Sequence, residues 1–439
     1  MRKVLFITYY FPPSGGPAVQ RILRFVRHLP GFGWKPIVLT VKDGDFPVLD
    51  RSLLVKVPPE TLVYRTFIPE PYKFYRKFIS GNDVEALDIT TLAVDDTEEV
   101  SLKERIAFWV RSWIFIPDPR IGWLPFAVYK GWRIVRQHKV DLIFSSGPPN
   151  TVHLIAWVLK IMTRKKWVSD FRDPWFKHLV PARKGWLPRK IEEKMCRLTL
   201  TASNHVVAVG NGVGQELASS VGRSLATKYS TIFNGFDSDN FKDLAAQDAS
   251  HFRICYVGSF FGRYDPASFV TAMEQLSEEN PDFKASLEMV FCGRVDDDVK
   301  RRFLSAKFAQ RVKFVDYQSH RETLQLMKSS TLLLLYIIDS EQGRHILTTK
   351  LYEYLGSRKP ILALAPDDSE AANIIRKTNA GYIVSPNRIF KIRRKLLLIF
   401  EEWRENKLRN FCPNETEVLN FEGQNLTRQL ATVFDQLVI

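Results

Sequence analysis

Residues 1–29 read MRKVLFITYYFPPSGGPAVQRILRFVRHL. The apolar run Val4–Thr8 has the length of a buried strand, Pro12-Pro13-Ser14-Gly15-Gly16 interrupts it, and a helix-period stretch follows over about 18–29. A strand that passes through a glycine turn directly into a helix is the opening unit of a parallel α/β layer. The basic start is too short a prelude for a signal sequence, because the apolar run ends at the prolines.

The same alternation continues outward from this stretch. Strands are expected at Ile37–Thr40, Asp141–Ser145, Trp167–Asp170, Val206–Val209 and Ser230–Phe233, with helices at about 124–138, 151–163, 187–202 and 212–221. A polar break follows at 234–250, from Asn234-Gly235-Phe236-Asp237 through DLAAQDAS. The cycle then restarts with Arg253–Gly258, Leu287–Cys292, Val312–Val315, Leu332–Ile337 and Ile361–Ala365. The fold class is therefore α/β, with two doubly wound Rossmann-like domains facing a cleft. Their expected bounds are 1–235 and 251–412, with 413–439 forming a tail whose helix, about 419–437, packs back on the first domain.

Totals agree with two cores. The chain has 439 residues, more than one hydrophobic core usually supports, and is 45% hydrophobic and 25% charged without low-complexity tracts or repeats. A net charge of +15 fits nucleic acid, an anionic membrane surface or a phosphate-bearing substrate. Cys196, Cys255, Cys292 and Cys412 are far apart and make no ligand spacing, which points to inert thiols in a reducing compartment without structural zinc. No uninterrupted apolar run approaches about 18 residues, the length of a membrane span. The chain is expected in the cytoplasm, where the glycosylation patterns at Asn414 and Asn425 are idle.

Ligands of open α/β sheets bind beyond the carboxyl ends of the strands, so functional residues are sought there. Gly15 and Gly16 either let a diphosphate approach the backbone at a helix N-terminus or merely make a tight turn. Val209-Gly210-Asn211-Gly212-Val213-Gly214 mimics a dinucleotide loop but lacks its third glycine. SSGPPNTVHLIAW places His153 one turn into a helix, as a satisfied surface histidine or as a group serving the acceptor or the donor phosphate. Asp170, Arg172 and Asp173 in SDFRDPW form either an ion-pair corner or part of an acceptor site. YVGSFFGRYDP offers Arg263 as a fork for a diphosphate. In ILTTKLYEYLGSRKPILAL, Lys350 and Glu353 share a helix face, where the carboxylate can hold a ribose diol or simply pair with the lysine.

TYYFPPSGGPAVQR, SDFRDPW, IFNGFD, YVGSFFGR and KLYEYLGSRKPILAL occur in the order and spacing of the bacterial family 4-like glycosyltransferases of the GT-B fold, which the chain resembles over nearly its whole length. The resemblance implies retaining transfer of a sugar from a nucleotide-sugar, with no metal ion in the catalytic centre and no other cofactor. It sets Gly15 and Gly16 against the donor and pairs Arg263 with the diphosphate. Thr349, Lys350, Leu351 and Glu353 become donor-side candidates, Glu353 on the ribose. His153 falls on the acceptor side with Asp170, Arg172 and Asp173; His153, Arg263 and Lys350 are the catalytic candidates. Two positions depart from the family pattern: His345 stands where its earlier glutamate is usual, and Ser268 where a lysine is usual, for which Lys350 is a substitute.

The chemistry expected is same-face attack by an acceptor hydroxyl, with the leaving diphosphate stabilised electrostatically and domain closure excluding water. Glycan or lipid-linked acceptors in cell-surface polysaccharide or glycolipid synthesis are the expected partners. Residues 101–139 carry eight lysines and arginines against Glu104 and Asp118, and Leu102, Ile106, Trp109, Val110 and Trp113 share one helical face. With the basic aromatic stretch 72–78, this suits either an anionic membrane surface on the inner face or packing on the core. Nucleic acid is not expected, since no recognition motif is present. A nucleotide-sugar epimerase and a non-catalytic membrane-associated scaffold are the alternatives, the scaffold suggested by His345.

Overall fold

The computed structural model describes residues 1–69, 116–176, 186–221, 227–244, 251–262 and 264–438. The chain forms two compact units, Met1–Phe233 with Thr427–Ile439, and Asn234–Leu426.

The first unit is built on a seven-stranded sheet in the order β3-β2-β1-β4-β5-β6-β7. Its strands are β1 (Arg2–Thr8), β2 (Trp34–Val41), β3 (Leu62–Thr66), β4 (Leu142–Gly147), β5 (Lys166–Phe171), β6 (His205–Ala208) and β7 (Tyr229–Thr231). Neighbouring strands run parallel, with Leu5 of β1 opposite Ile37 of β2 and Ile143 of β4. Both faces are covered, so the central strands are buried without alternation: Val4, Leu5, Phe6 and Ile7 are all inaccessible. The order reverses between β1 and β4, which places a switch point at Thr8 and Gly147.

The second unit holds a six-stranded parallel sheet, β10-β9-β8-β11-β12-β13. Its strands are β8 (Phe252–Val257), β9 (Leu287–Cys292), β10 (Val312–Val315), β11 (Leu332–Tyr336), β12 (Ile361–Leu364) and β13 (Gly381–Val384). The helix Ile389–Arg404 closes one face through Ile392, Leu396, Ile399 and Phe400. Here the switch point lies between β8 and β11.

The two-sheet α/β architecture is the one expected, and two edge strands add to it. β3 and β13 are short and half-exposed, so neither carries the continuous apolar run by which the central strands are recognised. The tail, expected to cross as 413–439, divides instead near Thr427. Residues 413–426 stay on the second unit because Phe236 and Phe421 pair there: Phe236 N–H donates to the Phe421 carbonyl at 3.1 Å, and the Phe236 carbonyl accepts in turn from Gly423 N–H at 2.8 Å. Arg358 adds a fork to Glu415, with Nε 2.8 Å from Oε2. Beyond the division, Phe434 packs on Trp34 and Phe144 at 5.3 and 5.7 Å, and Asp435 accepts from Trp34 Nε1 and Arg2 at 2.9 Å each.

Candidate functional site

At the first switch point the two glycines behave differently. Gly15 donates its N–H to the Val48 carbonyl at 2.8 Å, and a side chain there would stand 3.0 Å from Val48 Cγ1. Packing against residues 48–50 accounts for it. Gly16 has φ +90° and nothing within 4 Å of a Cβ, and it caps the helix Pro17–His28 without any side-chain partner. Of the pair, Gly16 offers the open approach.

Asp170 takes its hydrogen-bonded ion pair from Arg21, while Arg172 lies in the field of both Asp170 and Asp173. Arg21 forks onto Asp170, Nη2 at 2.6 Å and Nε at 3.1 Å, and Ser146 Oγ donates at 2.7 Å; both charged side chains of the pair are buried. Arg21 Nη1 also reaches the Phe233 carbonyl at 2.8 Å, so this ion pair ties helix, strand and the stretch after β7 together. Arg172 is half-buried and turned to the carbonyls of the β4 exit, with Nε 3.1 Å from Gly147 O and Nη2 on Pro148 O. Asp173 lies half-buried beside it.

His153 is not a surface histidine. Its ring is inaccessible, within 4.4 Å of Phe171 and 6.3 Å of Trp175 between centroids. Trp167 Nε1 donates to Ser145 Oγ at 2.8 Å, and Ser145 Oγ lies 2.9 Å from His153 Nδ1. His153 Nε2 has no partner among the described residues, so the Ser145 hydroxyl at Nδ1 is the ring's hydrogen-bond partner there. Burial drives the pKa down to about 3, with Asp170 opposing and Arg172 adding to the fall. His153 is thus a neutral imidazole beneath Gly147, where a Cβ would meet Nε2 at 2.6 Å.

The second switch point is built around Lys350. Gly258 and Gly293, with φ +94° and +119°, cross back to back at the exits of β8 and β9. A Cβ on Gly258 would strike Lys350 Cε at 2.7 Å. Lys350 Nζ donates to Tyr256 Oη at 2.5 Å and lies 3.3 Å from the Ser259 carbonyl, over the Tyr256 ring at 4.3 Å. No carboxylate pairs with it among the described residues, and desolvation lowers its pKa to about 7. Thr349 and Lys350 open the helix Thr349–Ser357, whose N-cap Thr348 leaves its buried hydroxyl unpartnered among the described residues. Leu351, expected on the donor, is core: its side chain is inaccessible and its N–H goes to Thr348 O at 3.2 Å. Arg263 lies outside the described residues.

Glu353 does not pair with Lys350. Its Oε1 is 2.9 Å from His320 Nε2, a residue for which sequence reasoning had no role. The signal was present in Ser319-His320-Arg321-Glu322, a capping box that starts a helix just beyond β10. His345 sits on a short helical turn with Nδ1 3.4 Å from Glu370, and Ser268 lies in the helix Ala267–Glu279. Among the described residues no three His, Cys, Asp or Glu side chains cluster as a metal site, and no helix is long and apolar enough to cross a membrane.

Gly214 of the dinucleotide-like run is explained by packing, since a Cβ there would fall 1.8 Å from Tyr229 Oη. The cysteines are free; burial raises the Cys196 and Cys255 thiols to about 12. Residues 72–78 and 101–115 lie outside the described residues. The helix Leu124–His138 keeps Phe126, Tyr129, Arg133 and Arg136 exposed and buries Ala127, Gly131, Ile134 and Val135.

Residues 80–240 match the family described as Glycosyltransferase Family 4, and residues 237–417 match Glycosyl transferases group 1. No curated protein matches the chain in sequence. Among solved structures, Anabaena HepE in complex with UDP superposes with a TM-score of 0.65 at 14% identity, covering 99% of this chain and 100% of that one. A glycosyltransferase from Rickettsia africae gives 0.64 at 14%, with 99% and 98% covered. Sucrose-phosphate synthase from Thermosynechococcus elongatus gives 0.61 at 13%, with 100% and 99% covered.

Proposed function

Because the chain belongs to the family 4-like glycosyltransferases of the GT-B fold, we propose that it takes its sugar from a nucleotide-sugar whose diphosphate rests on Lys350. One observation carries this: a half-buried, desolvated ammonium stands at the switch point of the second sheet with no carboxylate partner among the described residues. An uncompensated buried cation costs stability, and a diphosphate supplies the missing charge. The likeness to HepE, solved with UDP and with UDP-glucose, supports a nucleotide-sugar donor.

The proposed reaction retains configuration and uses no metal. The bond from anomeric carbon to phosphate oxygen breaks, the acceptor oxygen bonds to the same face of that carbon, and the hydroxyl proton passes to the departing phosphate. Lys350, Arg263 and the N-terminus of the helix Thr349–Ser357 stabilise the charge that gathers on the diphosphate. Glu353 takes the ribose hydroxyls. His153, held neutral, is a fixed polar group that with Gly16 marks the acceptor side. The acceptor is a glycan or a lipid-linked sugar of cell-surface polysaccharide or glycolipid synthesis. A place on the inner face of the membrane accords with the exposed aromatic and basic face of the helix Leu124–His138.

Thermal shift with UDP, GDP, TDP and ADP tests the donor site. At least one diphosphate is expected to raise Tm, and Lys350→Met to abolish that rise. Failure of all four on the unaltered chain would overturn the proposal.

A further inference from the structure

The role assigned to His320 rests on the reading of Glu353 as the ribose ligand. A carboxylate that accepts two hydrogen bonds from a vicinal diol must hold its plane. A glutamate on a helix has a broad terminal torsion and does not hold it unaided. In this chain the torsion is restrained from a neighbouring helix. His320 Nε2 lies 2.9 Å from Glu353 Oε1, and the two side chains are only 16% and 23% exposed.

The direction of that bond follows from the other ring nitrogen. His320 Nδ1 is buried and has no partner among the described residues. A bare lone pair there costs less than an unsatisfied N–H, so the ring proton belongs on Nε2, pointing at the carboxylate. The ring itself is fixed by its backbone. His320 opens the helix His320–Lys328, and Ser319 and Glu322 close a capping box around it: Ser319 N–H donates to Glu322 Oε2 at 2.9 Å and Glu322 N–H to Ser319 Oγ at 3.4 Å. Glu353 has no second partner among the described residues, so Oε2 is left for a ligand.

We propose that His320 is a positioning residue of the donor site: by donating Nε2–H to Oε1 it orients the Glu353 carboxylate so that Oε2 and the remaining lone pair of Oε1 meet the two ribose hydroxyls of a nucleoside diphosphate. The contribution is confined to the diol. It touches neither base nor diphosphate.

The test is calorimetric titration with whichever of UDP, GDP and ADP binds best, beside its 2′,3′-dideoxy counterpart. His320→Leu removes the donor and is expected to weaken the ribonucleotide about tenfold, the size of one lost charge-assisted hydrogen bond. The dideoxy compound is expected to bind His320→Leu and the unaltered chain alike. His320→Gln, whose amide N–H can reach the same oxygen, is expected to restore most of the difference. Equal loss for both ligands, or no recovery with glutamine, would overturn the positioning role. The ribose reading stands or falls separately: if Glu353→Gln weakens the ribonucleotide and the dideoxy compound equally, Glu353 does not hold the diol.

Discussion

At the scale of single residues, Lys350 and His153 make the protein respond to pH. Lys350 has its pKa lowered to about 7 by desolvation. A bound diphosphate would raise it again, so nucleotide affinity is full below about 7 and falls roughly tenfold per pH unit above it. Titration above neutrality checks this cleanly, because the terminal phosphate, with a pKa of about 6, is already ionised there. Lys350→Met should flatten the dependence. In the folded apo protein the lowered pKa means that the unfolded chain binds more protons between about 7 and 10.5, so the penalty is complete below 7 and vanishes above 10.5. The same substitution should therefore stabilise the protein at neutral pH, by about 1 kcal/mol or about 2–4 °C in Tm. His153 works in acid. Its pKa falls from 6.5 to about 3 on burial, so the unfolded state binds the extra proton in that window and stability drops as pH is lowered through it. The slope approaches about 1.4 kcal/mol per pH unit, and urea unfolding of His153→Leu should lose that share of it.

At the scale of elements, the first unit depends on side chains that close helix ends from far away in sequence. Asp118 accepts Thr151 N–H and Thr151 Oγ at 2.8 Å each and Arg120 N–H at 2.9 Å. It caps the helix Thr151–Thr163, whose own preceding residue Asn150 makes no side-chain cap. Asp118→Ala should cost about 1–2 kcal/mol, the upper range for a lost cap, and be read as a lower midpoint in urea. His153 rides in the first turn of that helix, so the same substitution should loosen the ring beneath Gly147. This cap was not legible in the sequence. Asp118 and Thr151 lie 33 residues apart and are joined only by tertiary folding. By contrast, the helix Thr151–Thr163 itself was read with its bounds, because its apolar period is local.

At the scale of the whole molecule, the last residues belong to the first core. Phe434 is buried against Trp34 and Phe144, and Phe434→Ala should cost about 3–5 kcal/mol there. The second unit does not share that core. Calorimetry should show the transition of the first unit lowered, while nucleotide stabilisation of the second persists. A single transition that still moves as a whole would show that the units unfold together.

Strand–helix alternation alone determined the two-sheet α/β class, because apolar runs and glycine turns act over a few residues. It also pointed to Lys350, Glu353 and His153 through their places beyond strands. What each of them touches was decided by tertiary structure. Lys350 meets Tyr256 rather than Glu353, Glu353 meets His320, Asp170 meets Arg21, and Leu351 turns into the core. The partners lie on different strands and helices, brought together only when parallel crossovers stack them, and burial sets their charge states. Sequence spacing carries neither kind of information.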